Sequence, residues 1–357
     1  MLEMNAGVVF VSTVVFYRLF LHPLANFPGP KLAAATRGFE AYYDVVCKGQ
    51  YTFKIAELHK KYGPIVRISP FELHVSDPKF YEAMYTREGR WDKYAWTIWR
   101  TTKHLRWYGP LMKSLPMWLM QRTADEGVKN HIGFLMVRNQ FKYVDAFLSD
   151  TLAGHGSRML RNTLYIHGWN TGPRRSPNNE KSFKRIFDEV GTITGAAFET
   201  TAHSIRLTLY HIYHNAELPY LTAVVMEGLR LSPATATRAT RVAPDRDLSF
   251  RGRRIPAGTP IGMTTYLMHR DPHRWLDLQD RWKLDKFYAP LSKGPRNCLG
   301  MHLAWAELYM TVAAIVERFD LVFDSSAADD LTCTHDRFLI GTSARNGLPV
   351  TVRRVRG

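Results

Sequence analysis

The chain has 357 residues, of which 45% are hydrophobic, so it can bury a large core and disorder is not expected. Its cysteines, Cys47, Cys298 and Cys333, are far apart and include no Cys-x-x-Cys pair, which argues against a disulfide scaffold or a zinc site and favours a reducing compartment. A formal charge of +16 suits a membrane surface, nucleic acid or an acidic protein partner. Nucleic acid ranks below the other two, because the sequence has no zinc finger, aromatic RNA-binding motif or uninterrupted basic run.

The amino-terminal segment, residues 1–21, is predicted to be a membrane anchor. Met4–Tyr17 carries no charge and is followed by Arg18 and three further apolar residues. This run is shorter than the about 20 apolar residues of a spanning helix, so it spans a bilayer only if Arg18 snorkels, and otherwise lies partly in the interface. Glu3, in place of a positive n-region, argues against a cleaved signal peptide. Because basic residues follow the run and none precedes it, the body is expected on the cytoplasmic side.

Residues 22–30, HPLANFPGP, contain three prolines and predict a semi-rigid hinge, with an ordinary loop as the alternative. The pattern over residues 31–61 is helical. Ile65–Ile68 and Leu73–Val75 are short β-branched runs that predict a hairpin, and Asp77-Pro78 predicts the start of a further helix.

Residues 93–181 are interpreted as the atypical part of the chain, and within them residues 137–180 show little periodicity. Residues 137–180 are predicted to be loop. Arg174, Arg175 and Lys181 would form a basic patch there, although a solvated loop is the favoured interpretation.

A long helix is predicted from Ser182 onward, with apolar residues at helical spacing. Glu199 and Thr200 stand inside it, after a pair of alanines that would leave room against a flat ligand. Burying a carboxylate and a hydroxyl there is costly unless they have partners or a chemical role. The alternative is a threonine bonded back to the helix carbonyl and a glutamate facing solvent.

A second helical pattern begins at Leu218 and contains Glu227 and Arg230 on one face. Their apolar neighbours, such as Val224 and Leu229, predict a buried pair that needs a further partner for the guanidinium, whereas the alternative is a solvated surface pair. Beyond Arg238 and Arg241, residues 248–263 predict short strands and turns.

Leu291–Gly300, LSKGPRNCLG, places a cysteine between glycines just before a long apolar helix. Gly294 and Gly300 allow a loop that folds closely under a flat macrocycle and presents Cys298 to iron. Backbone N–H groups and the positive end of the helix would hold the sulfur as a thiolate. The alternative is a buried free cysteine.

This stretch resembles the heme-binding signature of the cytochrome P450 family, Phe-x-x-Gly-x-Arg-x-Cys-x-Gly. Four of its positions are in register, and Leu291 replaces the usual phenylalanine. The resemblance implies heme b with Cys298 as the axial iron ligand and Arg296 near a heme carboxylate. Arg238 or Arg241 would meet a heme carboxylate as well.

Ala196–Thr201 resembles the oxygen-activation motif of the same family, Ala/Gly-Gly-x-Asp/Glu-Thr-Thr/Ser. The resemblance implies that Thr200 hydrogen-bonds the oxygen ligand or its water and that Glu199 helps to deliver protons. Trp96 and Arg100 have the spacing of the family's propionate-binding helix, but they follow too closely on the preceding helix and are interpreted as coincidental.

Glu227 and Arg230 resemble the first two members of the Glu-Arg-Arg cluster that supports the cysteine loop in this family. Arg274 in PHRW, residues 272–275, resembles the third member, with Arg281 as a nearby competitor.

The resemblance covers residues 15–92 and 182–357 and implies a mainly α cytochrome P450 fold with a small β region, shortened in the middle. The anchor and hinge would precede a catalytic domain at residues 31–357. The implied activity is insertion of one oxygen atom from O2 into an apolar small molecule of terpenoid or polyketide type, with electrons from an NADPH-dependent reductase at the endoplasmic reticulum membrane. Hypotheses of other classes are a non-catalytic or vestigial heme-binding protein and a membrane-tethered interaction protein without heme.

Overall fold

The computed structural model describes residues 2–85, 89–94, 183–214, 220–271, 287–294, 297–324, 331–337, 339–342 and 349–354. The chain divides into two compact units. Residues 1–110 and 203–357 form the first unit, and residues 111–202 form the second.

Helices account for most of the regular structure in these residues. They are α1 (Leu2–Phe16), α2 (Lys31–Ala35), α3 (Gly38–Ala41), α4 (Tyr51–Tyr62), α5 (Pro78–Met84), α6 (Phe183–His214), α7 (Leu221–Leu231), α8 (Thr265–His269) and α9 (Met301–Arg318). Two short π-helical segments, Tyr17–Leu21 and Tyr42–Val46, follow α1 and α3. The predicted long helices after Ser182 and Gly300 are both confirmed.

The strands are short. They are β1 (Ile65–Arg67), β2 (Leu73–Val75), β3 (Asp92–Lys93), β4 (Arg241–Val242), β5 (Leu248–Phe250), β6 (Arg253–Ile255), β7 (Pro260–Gly262), β8 (Phe319–Phe323), β9 (Cys333–Arg337), β10 (Leu339–Thr342) and β11 (Val350–Arg354). One sheet has the order β1-β2-β7-β4-β3, in which only β2 and β7 are parallel, and the remaining strands form the antiparallel pairs β5-β6, β8-β11 and β9-β10.

The five-stranded sheet and α5 form the largest core of the first unit. Leu73 lies opposite Ile261 in the parallel pair, and both side chains are fully buried. Tyr81 and Met84 of α5 pack into the same apolar cluster, where removal of their surface from water stabilises the fold. The predicted helix start at Asp77-Pro78 is confirmed, because the Asp77 carboxylate accepts the Lys79 N–H at 3.1 Å.

The amino-terminal helix α1 has 15 residues, and its central residues expose large apolar side chains. Within the ranges given above, no helix combines the length and the hydropathy required to cross a bilayer, so the transmembrane helix expected from the sequence is not found.

Candidate functional site

The loop before α9 has the compact geometry that the sequence predicts around Cys298. The Cys298 N–H donates to the Leu291 carbonyl at 2.9 Å, and the Asn297 N–H donates to the Gly294 carbonyl at 3.2 Å. Gly294 has a φ of 72°, a left-handed conformation that glycine adopts without steric cost. Gly300 is the N-cap residue of α9, so Cys298 lies two residues before the N-cap.

The position of Cys298 suits a metal-binding sulfur better than the position of Cys333 does. Cys298 is exposed and sits at the positive end of an 18-residue helix, where free N–H groups stabilise a negative charge. Cys333 is buried, and burial raises the pKa of its thiol to about 11. Cys298 is therefore the cysteine best placed to bind a metal through sulfur.

The side chains next to Cys298 are apolar and exposed. Leu299 is 79% exposed and Leu303, on the first turn of α9, is 58% exposed. Together they leave apolar surface open to solvent beside the cysteine. A thiolate with apolar neighbours fits a flat, largely apolar group that contains iron.

Arg241 supplies a second feature that fits heme. Its side chain is 9% exposed, its guanidinium donates to the Thr240 carbonyl at 3.3 Å, and it lies 5.1 Å from the centre of the Tyr85 ring. In the described part of the chain it forms no ion pair with a carboxylate. A buried guanidinium without an acid attracts an anion, and a heme carboxylate has that charge. The predicted heme contact of Arg241 is thus consistent with its surroundings.

Arg238 has a different environment. Its guanidinium is 2.6 Å from the Glu40 carboxylate and 2.7 Å from the Glu72 carboxylate, and it lies over the ring of Tyr51. Burial alone would lower the pKa of Arg238, but the Glu72 and Glu40 charges outweigh burial and raise it. Because two acids already balance its charge, these contacts give no support to the predicted role of Arg238 at a heme carboxylate. They indicate a role in the core.

Glu227 and Arg230 form the predicted pair on α7. The Arg230 Nε donates to Glu227 Oε2 at 2.7 Å, and its other nitrogens donate to Glu227 Oε1 and to the His269 carbonyl. Burial was predicted for both side chains, but the Glu227 side chain is 54% exposed while that of Arg230 is 15% exposed. The backbone carbonyl of His269 provides the further partner that the guanidinium requires.

Two aromatic residues that the sequence did not point to connect α7 with the segment before the cysteine loop. His269 is fully buried, and its Nε2 accepts the Ala289 N–H at 3.0 Å. Tyr288 stacks on the His269 ring and donates its hydroxyl to the Met226 carbonyl at 2.9 Å. Burial lowers the pKa of His269 to about 4, so the ring is neutral and can accept this hydrogen bond. Through these contacts, α7 and α8 hold residues 288–289, which precede Leu291.

Thr200 lies on α6 in the second unit, and its hydroxyl donates to the Ala196 carbonyl at 2.7 Å. This is the back-bonded arrangement that the sequence left open as an alternative. The hydroxyl oxygen still has lone pairs with which to accept a hydrogen bond, so the predicted oxygen-binding role stays a prediction. The side chains of Glu199, Arg274 and Arg296 lie outside the described residues, and their roles stay predictions as well.

The contact between α6 and α7 predicts a measurable packing effect at Gly228. A Cβ at this position would lie 2.1 Å from Thr208 Oγ1 and 3.1 Å from Thr208 Cβ. We expect Gly228→Ala to lower the free energy of unfolding by about 1–3 kcal/mol, because the side chains would be overpacked. Chemical denaturation measures this. Thr208→Ala should restore most of the loss in the double variant, and an equal loss in the single and double variants would contradict the proposed contact.

Residues 214–343 match the family model for cytochrome P450. Cytochrome P450 monooxygenase MO6277 of Ascocoryne sarcoides is 28% identical, with 96% of each chain covered. Tryptophan 6-hydroxylase fscE of Fusarium equiseti is also 28% identical, with 94% of each chain covered. The structure of retinoic acid-bound cyanobacterial CYP120A1 has a TM-score of 0.51 and 15% identity, covering 84% of this chain and 94% of that chain.

An exposed cysteine in a glycine-containing loop before a long helix fits the heme-thiolate class of protein. The chain is similar to the cytochrome P450 family, through the family model over residues 214–343 and through relatives that align along most of its length. Members of this family use heme b and are oxidoreductases that incorporate oxygen, and the relatives of this chain are fungal monooxygenases of secondary metabolism.

The alignment with the Ascocoryne sarcoides enzyme extends over 499 positions, whereas this chain has 357 residues. The alignment therefore contains long gaps, in which the relative has residues that this chain lacks.

Proposed function

We propose that this protein is a heme-dependent monooxygenase that inserts one oxygen atom from O2 into an apolar small molecule of terpenoid or polyketide type. The observation that carries the proposal is the position of Cys298, which is exposed in a hydrogen-bonded loop two residues before the N-cap of α9. Bound heme supplies the oxygen chemistry, and the protein supplies orientation and electrostatics.

The side chains of this chain have distinct roles in the proposal. Cys298, near the amino-terminal end of α9, would hold the iron through sulfur. Arg241 pairs with a heme carboxylate, for which its buried and acid-free guanidinium is suited. The remaining predicted roles are carboxylate binding by Arg296, loop support by Glu227, Arg230 and Arg274, and proton delivery by Glu199 and Thr200.

Electrons come from an NADPH-dependent reductase, and the protein is held at the endoplasmic reticulum membrane with its body on the cytosolic side. The exposed apolar residues of α1 and the formal charge of +16 support attachment to a membrane surface. A non-catalytic heme-binding protein is the second candidate, and the long gaps in the alignment with the Ascocoryne sarcoides enzyme favour it.

Turnover with a reductase separates the two candidates. We expect slow oxidation that is poorly coupled, because a shortened chain covers the heme less completely and water reaches the site. NADPH consumed, product formed and hydrogen peroxide released are measured in one reconstituted system. Peroxide should exceed product. Tight coupling to one product would show that residues 93–181 close the site, and NADPH consumption without any product would favour the non-catalytic candidate.

A further inference from the structure

The segment after α1 is docked on the body of the first unit through arginines and backbone carbonyls. Arg18, in the π-helical segment, donates to the Ala35 carbonyl at 2.8 Å. Arg67 of β1 donates in turn to the Arg18 carbonyl at 2.9 Å and to the Pro70 carbonyl at 2.8 Å. We call the surface formed by Arg18, Phe20, Leu21, His22 and Phe71, with Arg67 buried behind it, the elbow.

The elbow concentrates positive charge without an acid to balance it. Neither Arg18 nor Arg67 forms an ion pair with any carboxylate in the described ranges. Arg67 is 1% exposed, and its Nε has no hydrogen-bond partner. Burial, followed by the charge of Arg18, lowers the pKa of Arg67 to about 10. A guanidinium buried beside a second guanidinium creates a positive potential that an anion would relieve.

His22 lies in the positive electrostatic potential of Arg18 and Arg67. Its ring packs edge-on against the Phe71 ring, with the two ring centres 5.6 Å apart. The Arg18 guanidinium also lies over the Phe71 ring, 5.2 Å from its centre. The Leu24 N–H donates to His22 Nδ1 at 3.1 Å, so the neutral ring carries its proton on Nε2 and can donate from there. Burial and the charges of Arg67 and Arg18 lower the pKa of His22, which keeps the ring neutral at pH 7.

Large apolar side chains at the elbow are open to solvent. Phe20 is 63% exposed, Leu21 is 65% exposed and Phe71 is 39% exposed. Aromatic and aliphatic residues next to arginines match the boundary of a bilayer, where acyl chains and phosphate groups are a few ångströms apart. A soluble anion would not need these apolar neighbours.

We propose that the elbow binds the phosphate of an anionic phospholipid, with Arg18 and His22 as donors, Arg67 as the buried charge behind them, and Phe20, Leu21 and Phe71 among the acyl chains. This inference rests on the membrane attachment proposed above and adds the class of lipid and the residues that recognise it. The arginine–carbonyl contacts hold the segment after α1 against the body, so the charges and the exposed apolar side chains of the elbow lie next to one another.

The full-length protein is tested by co-sedimentation with phosphatidylcholine vesicles and with vesicles that also contain phosphatidic acid. We expect the wild type to prefer the anionic vesicles, and Arg18→Gln to weaken binding to them about fivefold while binding to phosphatidylcholine alone is unchanged. Arg253→Gln removes an equal charge from an exposed position of β6 and should have a much smaller effect. Arg18→Lys should recover part of the preference, which shows that the loss in Arg18→Gln is not misfolding.

Several results would overturn the proposal. Equal losses in Arg18→Gln and Arg253→Gln would show that diffuse charge alone is responsible. Thermal stabilisation of the wild type by inorganic phosphate, with displacement from anionic vesicles, would assign the elbow to free phosphate. Equal binding of the wild type to both vesicle types would retain membrane attachment and reject the proposed recognition of an anionic phospholipid, whereas absence of binding to either would reject the attachment as well.

Discussion

Replacing Cys298 by serine is expected to abolish the thiolate-type Soret band of the reduced, carbon monoxide-bound protein. Serine keeps the size of the side chain but removes the sulfur, which is the soft ligand that this class of heme site requires. Heme content and the absorption spectrum of the purified variant are the measurements. The effect should be complete, because the loop offers the iron no second sulfur.

The other cysteines provide matched controls. Cys47→Ser and Cys333→Ser should keep the spectrum of the wild type, since Cys333 is buried and packs with Ala236 and Tyr266 away from the loop, and neither cysteine stands at the start of a long helix. Loss of the band in all three variants would mean that the substitutions act through folding. Retention of the band in Cys298→Ser would contradict the assignment of Cys298 as the iron ligand.

Replacing Arg238 by methionine is expected to lower the free energy of unfolding by about 3–5 kcal/mol, because Glu40 and Glu72 would be left as buried charges without a cation. Their side chains are 5% and 1% exposed, so water cannot take the place of the guanidinium. Chemical denaturation measures the change. A loss of this size would be a large part of the stability of an ordinary domain.

Two further variants make this prediction specific. Arg253→Met removes an exposed arginine and should change the free energy of unfolding by less than about 0.5 kcal/mol. Adding Glu72→Gln to Arg238→Met removes one buried charge and should recover part of the loss. If Arg238→Met is no more destabilising than Arg253→Met, the three charges do not form the buried cluster described above.

The cysteine loop and the pair on α7 could be predicted because their residues are close in the sequence. Gly294, Cys298 and Gly300 lie within one turn and the start of one helix, and Glu227 and Arg230 are one helical turn apart. Local spacing of this kind determines local geometry. The structure confirms the turn and the pair, but not the burial of Glu227.

The core position of Arg238 could not be predicted, because its partners are 166 and 198 residues away in the chain. An arginine in a short sequence pattern looks the same whether its guanidinium pairs with a carboxylate of the protein or with one of a cofactor. From the sequence, Arg238 and Arg241 are therefore equally good candidates to bind a heme carboxylate. Only the presence or absence of neighbouring acidic residues distinguishes them.

The contacts of His269 and of the elbow could not be predicted from the sequence for a different reason. His269 accepts a backbone N–H and offers its carbonyl to Arg230, and Arg67 donates to the carbonyls of Arg18 and Pro70. Every residue has a backbone carbonyl, so an acceptor of this type leaves no pattern in the sequence. Such contacts become visible only when distant segments have been brought together.

The most direct test of the heme-thiolate assignment is the absorption spectrum of the full-length wild type, reduced and saturated with carbon monoxide. We predict a thiolate-type Soret band that accounts for one heme per chain. A histidine-type band, or a protein purified in the presence of excess heme that retains none, would contradict the assignment of Cys298 and with it the proposed monooxygenase activity.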